Sequence, residues 1–372
     1  MNEPGDVRAR ARVLGLVSDA SAPTGQSGLR RGGRLFATLA DHADVIGVQA
    51  IVPSQPERAL AAALHYRRNR DAWRSATLIS GVVLQGRARR ARAAVRATSP
   101  RPDLVLQVHG LIHPGYDVPF LVYTDNTAMI SKREWPLWVP DGKRAFARLR
   151  AHEQAVFDDA AFVFTCSSSA RQSVIDDYGI DPDRVLAIGA GANFLDAGAA
   201  PDYTAETALF VGLEFERKGV PELLTAWEQV RQARPSSRLV IGGPNRFDST
   251  PGVEWVQRVP PDEVAGYYDR SSVFVMPSRF EPWGHVFREA MGRGLGCVAT
   301  DVGGVPELIR PGVTGLVGDI DQLAANLIEA LEPSRAAQLG RAALADVLDR
   351  GSWDHVARQV ANVIDAVVAD RA

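Results

Sequence analysis

The chain has 372 residues, 46% of them apolar, with 42 Lys and Arg against 44 Asp and Glu, a formal charge of −2 at pH 7. That length suits two domains with a core each, and so small a net charge speaks against a general nucleic-acid binder. No apolar run reaches the roughly 18 residues of a membrane span, and two isolated cysteines, Cys166 and Cys297, make no disulfide framework, which points to a reduced, cytoplasmic protein.

The polar segment Met1–Asp6 lacks an apolar signal core and reads as a disordered lead-in. Strands are then expected at residues 12–17, 44–49, 104–108, 120–123, 162–165 and 185–188, with helical patterns between them. One such helix is 142–159, with Phe146, Leu149, Val156 and Phe157 on one stripe. This alternation implies a parallel sheet covered by helices. A Gly-rich stretch, Val17–Gly33, follows the first strand. His109 follows the third strand, where a hydrogen-bonded structural histidine and an active-site one are equally admissible. Asp125 follows the fourth strand and reads either as an Asx-turn or as a functional carboxylate. Lys132–Trp138 mixes cations with aromatics. Arg87, Arg89, Arg90, Arg92 and Arg96 form a basic helix, read first as a solvated face and second as a surface for anionic lipid or an acidic glycan.

The pattern breaks at residues 196–207, a small, Pro/Gly/Ala-rich linker. It restarts with strands at 208–212, 238–242, 273–276, 297–300 and 314–317. Helices are expected at 220–234, 261–270 and 285–293, and a final amphipathic helix at 352–368 repeats Trp353, Val356, Val360, Ile364 and Val367 on one face. The whole is an α/β chain with two doubly wound sheets, and ligands of such sheets bind at the carboxyl ends of the strands.

Three segments of the second half carry chemistry. Gly212–Gly219 follows a strand, bears Arg217 and Lys218, and opens a helix; adjacent cations near helix amides suit a diphosphate. Lysine occurs otherwise only at Lys132 and Lys143, so Lys218 stands out. In the second segment Glu281 and Glu289 bracket a turn and a helix start containing Gly284. Eight helical steps would span about 12 Å, more than the roughly 5–9.5 Å of a glycosidase carboxylate pair, so the two acids suit the ends of an elongated ligand. The third, Ala299–Ile309, is a strand, a Gly-Gly turn and a helix start. Taken singly, each is also compatible with an ordinary loop or helix start.

Together their order and spacing resemble family 4 of the retaining glycosyltransferases, which have the GT-B fold of two Rossmann-like domains facing across a cleft. The resemblance is clear over residues 208–317 and weaker before them. It implies that residues 1–195 are an acceptor-binding domain, residues 208–351 a nucleotide-sugar-binding domain, and that the helix 352–372 packs back on the first. It implies further that Arg217 and Lys218 hold the donor diphosphate and Glu281 the transferred sugar. Gly212, Gly284, His285 and Val286 would approach sugar and phosphate, and Glu289 the ribose hydroxyls. The Val17–Gly33 stretch resembles the family's glycine loop, so Gly32 and Gly33 would reach the donor. His109 and Asp125 would stand near the reacting centre, Asp125 where many relatives have His. Leu213 departs from the Arg that many relatives carry after the strand-end glycine.

The expected activity is therefore retaining, metal-independent hexosyl transfer from a nucleotide sugar to a glycan, lipid-linked or small-molecule acceptor. It needs no cofactor, metal or nucleic acid, and no Asp-x-Asp metal site is expected. A cytoplasmic location, peripheral to the inner face of the membrane for a lipid-linked acceptor, goes with it. A catalytically silent binding protein of the same fold stays open through Leu213 and Asp125. A nucleotide-cofactor oxidoreductase is disfavoured, since Gly15, Gly25, Gly28, Gly32 and Gly33 do not make G-x-G-x-x-G.

Overall fold

The computed structural model describes residues 10–17, 33–109, 112–113, 115, 117–193, 201–243, 250–257 and 263–370. The expected lead-in Met1–Asp6, the glycine stretch between Val17 and Gly33 with Gly32, positions 196–200 of the expected linker, and Pro261 lie outside the described residues. The chain divides into two units. One comprises residues up to Cys166, Ala170–Ile188 and the stretch from Val356 onward; the other comprises Ser167–Ser169 and Gly189–His355.

In the first unit, β1 (Arg12–Val17), β2 (Asp44–Ala50), β3 (Leu104–Val108), β4 (Phe120–Thr124), β5 (Phe162–Thr165) and β6 (Val185–Ala187) form a parallel sheet in the order β2-β1-β3-β4-β5-β6. Every residue of β3 and β4 is buried. Parallel strands joined by crossover helices are covered on both faces, which is why these segments read as continuous apolar runs. Leu14, Leu16, Val105, Val122 and Val163 pack with Val156 and Phe157 of the helix Lys143–Asp159 in one core. The sheet register sets Val17 beside Val108 and Val108 beside Tyr123, so the β3 and β4 carboxyl ends lie side by side.

In the second unit, β7 (Thr207–Val211), β8 (Arg238–Gly242), β9 (Val253–Val256), β10 (Val273–Met276), β11 (Gly296–Thr300) and β12 (Gly315–Gly318) form a second parallel sheet, ordered β12-β11-β10-β7-β8-β9. β9 was not anticipated. It is a four-residue edge strand, Val-Glu-Trp-Val, with no fully buried residue. The expected linker ends earlier than its composition suggests, because Tyr203–Ala205 is already a turn of 3-10 helix and Thr207 already pairs with Arg238.

The basic helix Gly81–Ala97 differs from its expectation as a solvated face. Arg87 is buried, and Nη2 of Arg90 lies 2.7 Å from Glu57 Oε2, with Arg89 Nη2 at 3.5 Å from Oε1. Arg90 is the main reason the Glu57 carboxyl sits at about 2. Glu57 is fixed in turn by a capping box with Ser54 at the start of the helix Gln55–Leu64. Arg89 and Arg90, two of the five arginines, therefore pair with the helix Gln55–Leu64, and Arg87 is buried.

Candidate active site

In the second unit the strand-end segments meet. β7 runs into Gly212, and the loop delivers Arg217 and Lys218 just before the helix Val220–Ala233. β10 runs into Pro277, and the turn delivers Glu281 before the helix His285–Gly292. Backbone hydrogen bonds stitch the three segments together. Arg279 N donates to Arg217 O at 2.7 Å, and Gly304 N, from the Gly-Gly turn, donates to Glu281 O at 3.1 Å.

Glu281 is buried and binds both cations. Lys218 Nζ is 3.0 Å from its Oε2, and Arg217 Nη1 is 3.3 Å from the same atom. Arg217 is further tied by Nη1 to Phe280 O at 2.7 Å and by Nη2 to Glu214 Oε2 at 2.7 Å. Lys218 Nζ also lies 3.2 Å from Met276 Sδ. Burial lowers the pKa of the Lys218 ammonium, Glu281 opposes that shift, and Arg217 adds to it. The cluster thus concentrates two cations on one carboxylate oxygen in a nearly dry setting, where charge interactions are strong. Gly212 makes room for this, since a Cβ there would collide with the Lys218 side chain.

Glu281 and Glu289 do not share one helix. Gly284 stands between them at φ 95°, a left-handed conformation that glycine adopts without strain, and a Cβ there would crowd Phe287 and the Glu281 side chain. The helix begins only at His285, so its opening residues His285 and Val286 are half-buried beside the turn, and Glu289 lies buried one turn on.

Glu289 is held by residues that sequence reasoning missed. Asn193 Nδ2 donates to Glu289 Oε1 at 2.7 Å, and Tyr268 OH donates to Oε2 at 3.3 Å. Trp353 Nε1 donates to Asn193 Oδ1 at 3.2 Å, and the Trp353 ring stacks on His285, centroids 6.4 Å apart. The signal for Asn193 was faint: one amide side chain after Gly189-Ala190-Gly191-Ala192, small residues of which Gly191 lies against the Trp353 backbone.

In the first unit, His109 and Asp125 come together at adjacent strand ends, Nδ1 to Oδ1 at 3.6 Å, and both are half-buried. His109 N donates to Tyr123 O at 2.7 Å, and its φ is 75°. A non-glycine residue in that region is uncommon and marks a strained, specified backbone. Gly33 caps the helix Arg34–Leu39 with ordinary helical φ and ψ, while Gly32 lies outside the described residues.

Two Asp-x-Asp spacings occur, at Asp181/Asp183 and Asp319/Asp321. Both open 3-10 turns. Asp181 accepts from Asp183 N at 3.0 Å, and Asp319 forms a capping box with Gln322. Among the described residues no three His, Cys, Asp or Glu side chains are grouped so as to hold a metal ion.

Residues 205–333 match the family model described as glycosyl transferases group 1. The alpha-maltose-1-phosphate synthase of Mycolicibacterium smegmatis is 30% identical over 258 residues, 58% of this chain and 66% of that protein. A D-inositol 3-phosphate glycosyltransferase of Corynebacterium aurimucosum is 28% identical over 291 residues, 69% and 68% of the two chains. The chain thus spans about two thirds of the length of these relatives. Among solved structures, a sucrose-phosphate synthase from Thermosynechococcus elongatus superposes with a TM-score of 0.72 at 19% identity, covering 96% of this chain and 100% of the other. The Anabaena protein HepE, solved with UDP and glucose, gives 0.65 at 17% identity, covering 96% and 100%. At such identities the likeness to solved structures concerns the fold.

Proposed function

We propose that the chain, whose residues 205–333 match the group 1 glycosyl transferases and which has the GT-B fold, moves a sugar from a nucleotide-sugar donor to an acceptor hydroxyl, with retention at the anomeric carbon and without a metal ion. The observation that carries this reading is the convergence of Arg217, Lys218 and Glu281 at the carboxyl end of a parallel sheet.

In the proposed reaction the bond between the anomeric carbon and the terminal phosphate oxygen breaks, and negative charge gathers on the leaving nucleoside diphosphate. Lys218 and Arg217 meet that charge, assisted by the opening amides of the helix His285–Gly292. Preorganised donors of this kind are worth about 2.7–4 kcal/mol each. Glu281 keeps the two cations in place and is assigned to hydroxyls of the transferred sugar, Glu289 to those of the ribose. The acceptor oxygen bonds the anomeric carbon on the face the diphosphate leaves, and its proton passes to the departing phosphate oxygen. On the acceptor side the proposal uses His109 and Asp125. The relatives are named for maltose 1-phosphate and D-inositol 3-phosphate, which favours a sugar-phosphate or glycan acceptor here. A lipid-linked acceptor would bring the protein to a membrane surface; among the described residues no helix is long and apolar enough to cross one.

The test is a panel of UDP-, GDP-, ADP- and dTDP-linked sugars, read by thermal shift and then by product analysis. Donor at 100 times its dissociation constant should add about 2.7 kcal/mol of stability. One nucleotide class should stabilise the protein, the product should keep the donor's anomeric configuration, and EDTA should leave the rate unchanged. No shift and no transfer with any donor would leave the silent binding protein as the better reading. An inverted product would sink retention, and activity lost to EDTA and restored by magnesium would sink metal independence.

A further inference from the structure

Asn193 sits between two groups of opposite hydrogen-bonding character. The Trp353 indole N–H is a donor only, and the Glu289 carboxyl oxygen facing Asn193 accepts. A side-chain amide offers both faces, and the partners decide which way it points. Its Oδ1 must meet Trp353 Nε1, at 3.2 Å, and its Nδ2 must then meet Glu289 Oε1, at 2.7 Å. The orientation of this amide therefore follows from chemistry, where amide assignments are otherwise ambiguous. All three side chains are buried, at 3%, 4% and 5% exposure, so water cannot substitute for a lost partner at low cost. Ala192 N donates to Gly351 O at 2.8 Å, which aligns the backbones that carry Asn193 and Trp353. Tyr268 OH restrains the other carboxylate oxygen.

We propose that Asn193 is the positioning residue of Glu289, an amide relay oriented by Trp353 that presents the carboxylate in one fixed geometry to the hydroxyls of a nucleotide ribose. This rests on the reading of Glu289 as the ribose acceptor. It adds that ribose recognition depends on Asn193, a residue outside the helix that carries the carboxylate. An Asp at 193 would accept from Trp353 but set a second acid against Glu289, and a Leu would keep the shape and lose both bonds.

The test is calorimetric titration of UDP, GDP, CDP and ADP into the full chain, continued with the nucleotide that binds and with its 2′,3′-dideoxy analogue. Asn193→Leu should weaken the ribonucleotide about tenfold, the loss of one hydrogen bond to a charged group, and the dideoxy analogue less than twofold. Trp353→Phe keeps an aromatic ring at this position, removes the indole donor together with part of the ring, and should give a smaller loss with the same preference for the ribonucleotide. Glu289→Gln, made alongside, should also lower the ratio of the two affinities. Equal weakening of both nucleotides by Asn193→Leu would reduce Asn193 to a packing role and overturn the inference, as would unchanged binding of both. If Asn193→Leu does not fold, Trp353→Phe decides: an unchanged ratio overturns the relay. An unchanged ratio in Glu289→Gln would instead remove Glu289 from the ribose and overturn the reading beneath it, and no binding of any of the four nucleotides or of dTDP would overturn the donor proposal itself.

Discussion

Lys218 concentrates most of the proposed chemistry in one side chain. It is half-buried, its pKa is lowered by that desolvation, and its ammonium rests on Glu281 at 3.0 Å beside Arg217. Lys218→Ala should lower turnover by about 100- to 1000-fold, the loss of one preorganised charge-stabilising donor. Arg217 remains to pair Glu281, so the fold should survive, unlike the case of a buried charge left with no partner. Turnover and circular dichroism measured on one preparation check this, and near-normal turnover would take Lys218 out of the reaction. Residue identity also made Lys218 legible in the sequence: a rare lysine at the end of a strand and the start of a helix is a specific signal. Asn193 was not legible, because its role comes from partners 96 and 160 positions away that no local pattern records. The contact of His109 with Asp125 is a similar case. Each was visible as a strand-end residue, but only the sheet register brings the two strand ends side by side.

At the scale of elements, Glu153 of the helix Lys143–Asp159 reaches one other helix and the turn that follows the helix Ser168–Asp176. It accepts from Ala128 N at 2.8 Å, at the opening of the helix Ala128–Glu134, and from the Tyr178 hydroxyl. Burial pushes its carboxyl up to about 7 from an ordinary 4.5, against the opposing pull of Tyr178 and Ala128. A raised acid favours folding while it is protonated. Its contribution is fully present below pH 4.5 and is lost as the pH rises through 7. Melting temperature should therefore decline between pH 4.5 and 7 by a component that Glu153→Gln abolishes, and the variant should be the more stable protein at pH 8. Parallel pH–melting curves for the two proteins would disprove this role. Elements of the sheets were legible because parallel strands are covered on both faces and write their burial into short apolar runs. β9 was not, since an edge strand with half-exposed residues leaves no such run. The pairing of Arg90 on the helix Gly81–Ala97 was equally hidden, because Glu57 reaches it across a helix–helix contact.

On the scale of the whole chain, the helix Trp353–Ala369 contributes to both units. Trp353 belongs to the second unit, where its indole orients Asn193 and its ring lies on His285; the residues from Val356 onward belong to the first. Val356, Val360 and Ile364 are 2%, 0% and 0% exposed, so this face is covered, as the helical spacing of the apolar residues required. Each such side chain contributes about 1.5–3 kcal/mol by burial, and a domain has only about 5–15 kcal/mol in total. Deleting residues 352–372 should thus expose apolar surface in the first unit and, through Trp353, release the Asn193 amide in the second. We expect a melting temperature lowered by several degrees or outright insolubility, with nucleotide affinity reduced in any soluble fraction. The nucleotide measurement separates the two effects, since lost packing in the first unit alone would leave that affinity unchanged. A truncated protein with the melting curve and activity of the full chain would show that neither unit depends on this helix.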